Sequence, residues 1–236
     1  MRSAEGSNVE KAQTGKINAA KEAAKLVEDG MVIGIGTGTT VEYFIKELGE
    51  RIQRDGIEVW GVPSSYHSHM LAVENGIVVA DLFQFEELDL CVDGADQVDV
   101  NLNCIKGKGG ALLREKIIAQ ASERVVIIVD SGKVSDKLRD LVPVEVFPFA
   151  YGNVVRRLQS LGGKCKLREA RSKIGPCISD NGNLIFDVDF GVILNPVELE
   201  MKINSIAGVV ENGIFPGEII DRVIVGHSDG TGIMKK

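Results

Sequence analysis

The sequence predicts an α/β fold: an open parallel sheet with helices on both faces, plus a smaller α+β domain. Three observations carry the prediction. Between Met31 and Val129, short β-branched apolar runs alternate with stretches whose apolar residues recur at helical spacing, as strands joined by crossover helices do. Glycine-rich polar segments adjoin the apolar runs, and open sheets of this class hold ligands beyond the carboxyl ends of their strands. After Pro143 the rhythm changes.

Val9 to Glu28 sets Ala19, Ala20, Ala23, Ala24 and Val27 at helical spacing, and Asp29-Gly30 predicts the stop. Met31 to Ile35 reads as a strand. Thr39-Thr40 is the expected cap of a helix carrying Val41, Phe44, Ile45 and Leu48. Strands follow at Ile57–Trp60, Ile77–Ala80, Leu88–Val92 and Val125–Val129, with helices at Ser65–Asn75 and Gly110–Gln120. Beyond Pro143 come a strand Val144–Phe147, a helix Tyr151–Leu161, strands Lys164–Leu167 and Leu184–Val188, and a helix Val197–Ile206. Asp180-Asn181-Gly182-Asn183 is a turn signal. Arg222–Val225 is expected to return to the main sheet. The whole reads as a Rossmann-like main domain, residues 1–143 and 216–236, with residues 144–215 as the small α+β domain.

Composition narrows the function. The 236 residues are 44% hydrophobic, enough for a substantial core. Lys+Arg 27 against Asp+Glu 34 gives a net charge of −7 with no basic block, so nucleic acid is not an expected partner. No segment has the apolar length of a signal peptide or membrane span, which predicts a cytoplasmic protein without membrane attachment. Cys91, Cys104, Cys165 and Cys177 are scattered with no metal-ligand spacing, and read as core or half-buried thiols.

The chemistry concentrates in three segments. In Gly34-Ile35-Gly36-Thr37-Gly38-Thr39-Thr40, glycines bring backbone close to a ligand and the next helix offers free N–H groups, a setting for phosphate. A dinucleotide fingerprint is the rival, but Thr39 occupies a position that needs a small residue, and no ribose-binding acid follows Trp60-Gly61. Asp93 and Asp96 flank Gly94-Ala95 after a strand, where two carboxylates can divide acid and base roles. A lone DxxD lacks further ligands for a metal, so none is expected; Asp99 is assigned to a solvated loop. In Lys106-Gly107-Lys108-Gly109-Gly110, a lysine precedes a glycine turn, and Glu115 lies on the following helix, about one and a half turns in. An isolated glutamate between Arg114 and Lys116 would read as exposed; the neighbouring loops favour the cleft. His67, His69 and His227 form no triad, Ser64 and Ser65 are caps or pocket hydroxyls, and Trp60 and the eight Phe read as core. This inventory suits a phosphorylated sugar.

These residues also carry a resemblance. GIGTGTT at Gly34–Thr40, VDGADQVD at Val92–Asp99 and KGKGGALLREK at Lys106–Lys116 strongly resemble the ribose-5-phosphate isomerase type A family, over nearly the whole chain from Lys16. The resemblance implies reversible interconversion of D-ribose 5-phosphate and D-ribulose 5-phosphate through an enediol, in the non-oxidative pentose phosphate route, with no cofactor or metal. It implies Glu115 as the base between C1 and C2, Asp93 and Asp96 as the groups assisting ring opening and oxygen proton transfers, and Lys106 as the cation for the enediolate. Thr37, Gly38, Thr39 and Thr40, the 93–96 segment, Lys106 to Gly109 and Lys133 match substrate-binding positions, and Lys16 is a further candidate for the phosphate. It also implies a homodimer or homotetramer. Lys108 stands where the family's loop commonly has glycine, and Gln97 where an acid often follows. A non-catalytic sugar-phosphate sensing domain and an amino-sugar phosphate deaminase are the competing classes. The first would be favoured by an attached helix-turn-helix, the second by a ring-opening histidine in the cleft.

Overall fold

The computed structural model describes residues 2–235. In chain order the first part contains α1 (Arg2–Ala24), β1 (Val32–Ile35), α2 (Thr39–Asp55), β2 (Trp60–Pro63), α3 (Tyr66–Glu74), β3 (Val78–Val79), β4 (Leu90–Gly94), β5 (Gln97–Val98), β6 (Cys104–Ile105), α4 (Leu112–Gln120) and β7 (Val125–Asp130). The second part contains β8 (Val142–Val146), α5 (Tyr151–Ser160), β9 (Lys164–Leu167), β10 (Leu184–Asp189), α6 (Pro196–Asn204), β11 (Val209–Asn212), β12 (Ile214–Phe215), β13 (Arg222–His227) and β14 (Gly230–Lys235).

The main sheet has seven strands in the order β14-β13-β7-β4-β1-β2-β3. All its neighbours are parallel except the β13–β14 edge pair. Because side chains alternate across a strand, its residues feed two cores. Ile33, Ile35, Val92, Val126 and Ile128 pack with Ala20 and Ala23 of α1 and Phe44 and Leu48 of α2. Val32, Cys91, Val125, Ile127 and Val129 pack on the opposite face with Ile118 and Ala119 of α4. Helices therefore cover both faces, as expected. A four-stranded antiparallel sheet, β11-β8-β10-β9, forms a separate domain whose core includes Val144, Val154, Leu158, Phe186 and Ile203. A third sheet, β12-β6-β5, joins the two regions.

Several local expectations are corrected. The first helix ends at Ala24, before Asp29-Gly30. The second strand is Trp60–Pro63: residues 57–59 form the approach to it, with Glu58 N–H donating to Asp29 Oδ1 and Glu58 O accepting from Gly30 N–H. Gly38, at φ 136°, caps α2, and Thr39 is already helical with no side-chain cap bond. Phe44, Phe186 and Phe215 are buried, but Phe83, Phe147 and Phe149 are exposed and Trp60 is half-buried against Phe85. Cys91 and Cys104 are buried and all four cysteines are free; burial pushes the Cys104 thiol up to about 12. Asp99 is buried too, accepting from the N–H groups of Asn101 and Asn103 and from Asn103 Nδ2, each at 2.9 Å, so it ties a turn together.

Candidate active site

Three chain segments converge beyond the carboxyl ends of β1 and β4. After β1 the chain turns through Gly36, Thr37 and Gly38 into α2. A Cβ on Gly36 would lie 1.8 Å from Asp93 Oδ1, so glycine is what lets the carboxylate approach this loop. Asp93 is the fourth residue of β4, inside the strand, and is buried. Its Oδ1 accepts from Gly94 N–H at 2.7 Å and Thr37 N–H at 3.1 Å.

Lys106 follows β6, and its own N–H donates to Gly213 O at 2.8 Å. Its Nζ donates to Gly94 O at 2.6 Å, lies 2.8 Å from Asp93 Oδ2 and 3.3 Å from Glu115 Oε2, and sits 5.1 Å from the Phe215 ring centroid. Gly107, at φ 98°, then reverses the chain, and Lys108 N–H donates to Asp96 Oδ2 at 2.9 Å. Glu115 is the fourth residue of α4, about one turn in rather than one and a half. It is buried and turned toward the loops, not outward.

The electrostatics follow from burial. Asp93 and Glu115 are both pushed above the usual carboxylate range, by desolvation first. Glu115 rises to about 8, with the Asp93 charge adding to the effect and Lys106 opposing it. Burial alone would depress Lys106, but the Asp93 and Glu115 carboxylates outweigh it, and the ammonium is held above its ordinary value. Asp93 has two backbone donors and a close ammonium, whereas Glu115 Oε2 has only the 3.3 Å ion pair and is otherwise unpartnered. Of the two, Glu115 is the less supported as an anion. The carboxylates that compete for Lys106 are thus Asp93 and Glu115; Asp96 is turned to the Lys108 amide.

A cavity of about 310 Å³ opens above this cluster. Its wall is formed by Lys16, Thr37 to Thr40, Gly94 to Asp96, Lys106 to Gly109, Glu115, Lys133 and Arg171. Every residue that the resemblance matched to a catalytic or substrate-binding position lies on that wall except Asp93, which lies beneath it against Lys106 and Gly36. Lys16 Nζ donates to Thr39 Oγ1 at 2.9 Å, and Lys133 ends the short turn after β7 that Asp130 caps. With the start of α2, these cations suit a phosphate at one end. Thr37 Oγ1 meets Ser64 Oγ at 2.8 Å and Ser65 Oγ at 2.7 Å; Ser65 caps α3, and both serines are buried behind Thr37 and do not line this cavity. His67 lies at the surface, 3.2 Å from Glu42. Arg171 was missed: it lies in the loop after β9, where no periodicity or motif marks it. Gln97, where an acid was noted as commoner, is buried, and its Oε1 accepts from Arg139 N–H at 2.6 Å and Asp140 N–H at 2.9 Å. Among the described residues no group of three or more His, Cys, Asp or Glu is arranged to hold a metal.

The family model for ribose 5-phosphate isomerase A (phosphoriboisomerase A) matches residues 60–230. The ribose-5-phosphate isomerase A of Archaeoglobus fulgidus is 58% identical over 217 residues, covering 91% of this chain and 96% of the relative. That of Methanosarcina acetivorans is 50% identical over 208 residues, 88% of each chain. Among solved structures, the ribose 5-phosphate isomerase A of Methanocaldococcus jannaschii superposes with a TM-score of 0.90 at 45% identity, over 94% of this chain and 98% of that one. A D-ribose-5-phosphate isomerase in complex with phospho-erythronic acid superposes with a TM-score of 0.92 at 46% identity, over 96% and 99%.

Proposed function

The chain belongs to the ribose 5-phosphate isomerase A family, and from that premise we propose how its own residues interconvert D-ribose 5-phosphate and D-ribulose 5-phosphate. It is an aldose–ketose isomerase of carbohydrate metabolism, in the pentose phosphate pathway. The observation that carries the residue assignment is the meeting of Glu115 Oε2 and Lys106 Nζ at 3.3 Å on the cavity wall.

In this reading the phosphate lies among Lys16, Thr39, Thr40 and Lys133, and the sugar extends toward Lys106. Asp93 and Asp96 assist ring opening and the oxygen proton transfers. Glu115, as carboxylate, takes the proton from C2 of the open aldose. The electron pair moves into the C1–C2 bond, charge develops on the former carbonyl oxygen, and Lys106 stabilises it. A proton passes from O2 to O1, and Glu115 returns its proton to C1 as the C1–C2 double bond gives way to a carbonyl at C2, yielding the ketose. No electron leaves the substrate, so the step balances without an external oxidant or reductant.

The test is conversion of ribose 5-phosphate to ribulose 5-phosphate with a chelator present, run beside Glu115→Gln. Retained wild-type turnover with collapse in the folded variant supports the assignment; an active Glu115→Gln overturns it. We further propose residues 144–215 as the small domain, a cytoplasmic location, and a homodimer or homotetramer. Among the described residues no helix is long and apolar enough to cross a membrane. The exposed Phe147, Phe149, Leu194 and Met201 of the small domain offer contact surface. Limited proteolysis and light scattering test the boundary and the oligomer.

A further inference from the structure

We infer that Arg168, at the end of β9 and outside the cavity wall, is a positioning residue that aims the Gly109 N–H at the sugar oxygens. This deepens the isomerase reading and rests on it. Arg168 Nη1 donates to two successive loop carbonyls, Gly107 O at 3.0 Å and Lys108 O at 3.1 Å. The other side of the guanidinium is held by Asp187 of β10, through Nε at 3.0 Å to Oδ2 and Nη2 to Oδ1. This two-point grip fixes the fork in one plane.

In a trans peptide the C=O and N–H point in opposite directions. A guanidinium that collects the Gly107 and Lys108 carbonyls therefore turns the Lys108 and Gly109 N–H groups away from itself. The first reaches Asp96 Oδ2 at 2.9 Å. The second has no partner among the described residues, and Gly109 lies on the cavity wall. Gly109 is three residues beyond Lys106 in the same loop, and a Cβ there would lie 3.5 Å from Cγ2 of Thr37, which is also on that wall. Polarising the peptide from its carbonyl side also strengthens its N–H as a donor. Arg168 thereby contributes to catalysis from the small domain without itself touching substrate.

The test is calorimetric titration of wild type, Arg168→Gln, Arg168→Lys and Asp187→Asn with phospho-erythronic acid, whose carboxylate stands in for the enediolate oxygens, and with inorganic phosphate. Arg168→Gln is expected to weaken phospho-erythronic acid about tenfold or more while phosphate binding stays within about twofold. Arg168→Lys recovers part of the loss, and Asp187→Asn shows the same split more weakly. Wild-type affinity for phospho-erythronic acid in all three variants overturns the inference, as does parallel weakening of both ligands, which means support of the fold alone. If Arg168→Gln does not fold, the other two variants decide by the same split. A wild type that fails to bind phospho-erythronic acid overturns the isomerase reading itself.

Discussion

Glu115 and Lys116 are neighbours on α4, yet they enter two clusters of the same composition: a buried lysine with two carboxylates, its Nζ 5.1 Å from the Phe215 ring. In the second cluster the acids are saturated. Glu211 Oε1 takes Lys116 Nζ at 2.7 Å, Asn204 Nδ2 at 2.9 Å and Asn212 N–H at 2.7 Å. Glu200 Oε1 takes Lys116 Nζ at 3.0 Å and Asn204 Nδ2 at 2.8 Å. In the first cluster Glu115 Oε2 has only an ion pair at 3.3 Å. The difference lies in the surrounding amides, not in the charges. A saturated carboxylate holds α4 against α6 and β11; an under-saturated one beside a cavity can exchange a proton.

Glu115→Gln is expected to cut kcat about a hundred- to ten-thousand-fold with KM little changed, as read by steady-state kinetics. Lys116→Met should do the opposite. It leaves two half-buried acids without their buried cation and is expected to cost about 3 kcal/mol in denaturant unfolding, with kcat of the folded fraction within a few-fold of wild type. A large kcat loss there would dissolve the distinction.

The pH profile gives a third, smaller effect. Glu115 acts as a base only when ionised, so kcat/KM should fall about tenfold per pH unit below about 8. Stability runs the other way. Unfolded, Glu115 ionises near 4.5; folded, it keeps its proton to about 8. Between these values the folded state binds more protons, so stability decreases as pH rises. Thermal melts across that window should show the slope in wild type and a flatter one in Glu115→Gln. Smallest is Ser65→Ala, which removes the α3 cap and a bond to Thr37; chemical denaturation should show a loss of about 0.5–2 kcal/mol.

Much of this architecture is legible in the sequence because the main strands are short apolar runs and α2 and α5 carry clear periodicity. What was missed lacks such a signal. β5, β6 and β12 are two residues each, too short for alternation. β14, Gly-Thr-Gly-Ile-Met-Lys, has two glycines and one side in solvent. The catalytic candidates were legible because glycine loops and acids sit at strand ends. Their pairing was not: Asp93 meets Glu115 through a lysine on a third segment, a contact set by topology. Asp99 looked solvated because the amides that bury it belong to its own turn. Arg168 and Arg171 come from another domain and carry no local pattern.

The small sheet β12-β6-β5 has a consequence for synthesis. β6, which leads into Lys106, pairs with β12, and Lys106 N–H bonds Gly213 O. The lysine loop thus waits for residues more than a hundred positions downstream, while β7 likewise waits for β13. Contacts of that sequence separation form late. On a ribosome, where domains fold as they emerge, the chain can assemble β1, β4 and their helices early, yet the proton-transfer centre closes only when the segment around Phe215 has cleared the exit tunnel. A nascent chain halted before Gly213 should hold much of its sheet and have no isomerase activity.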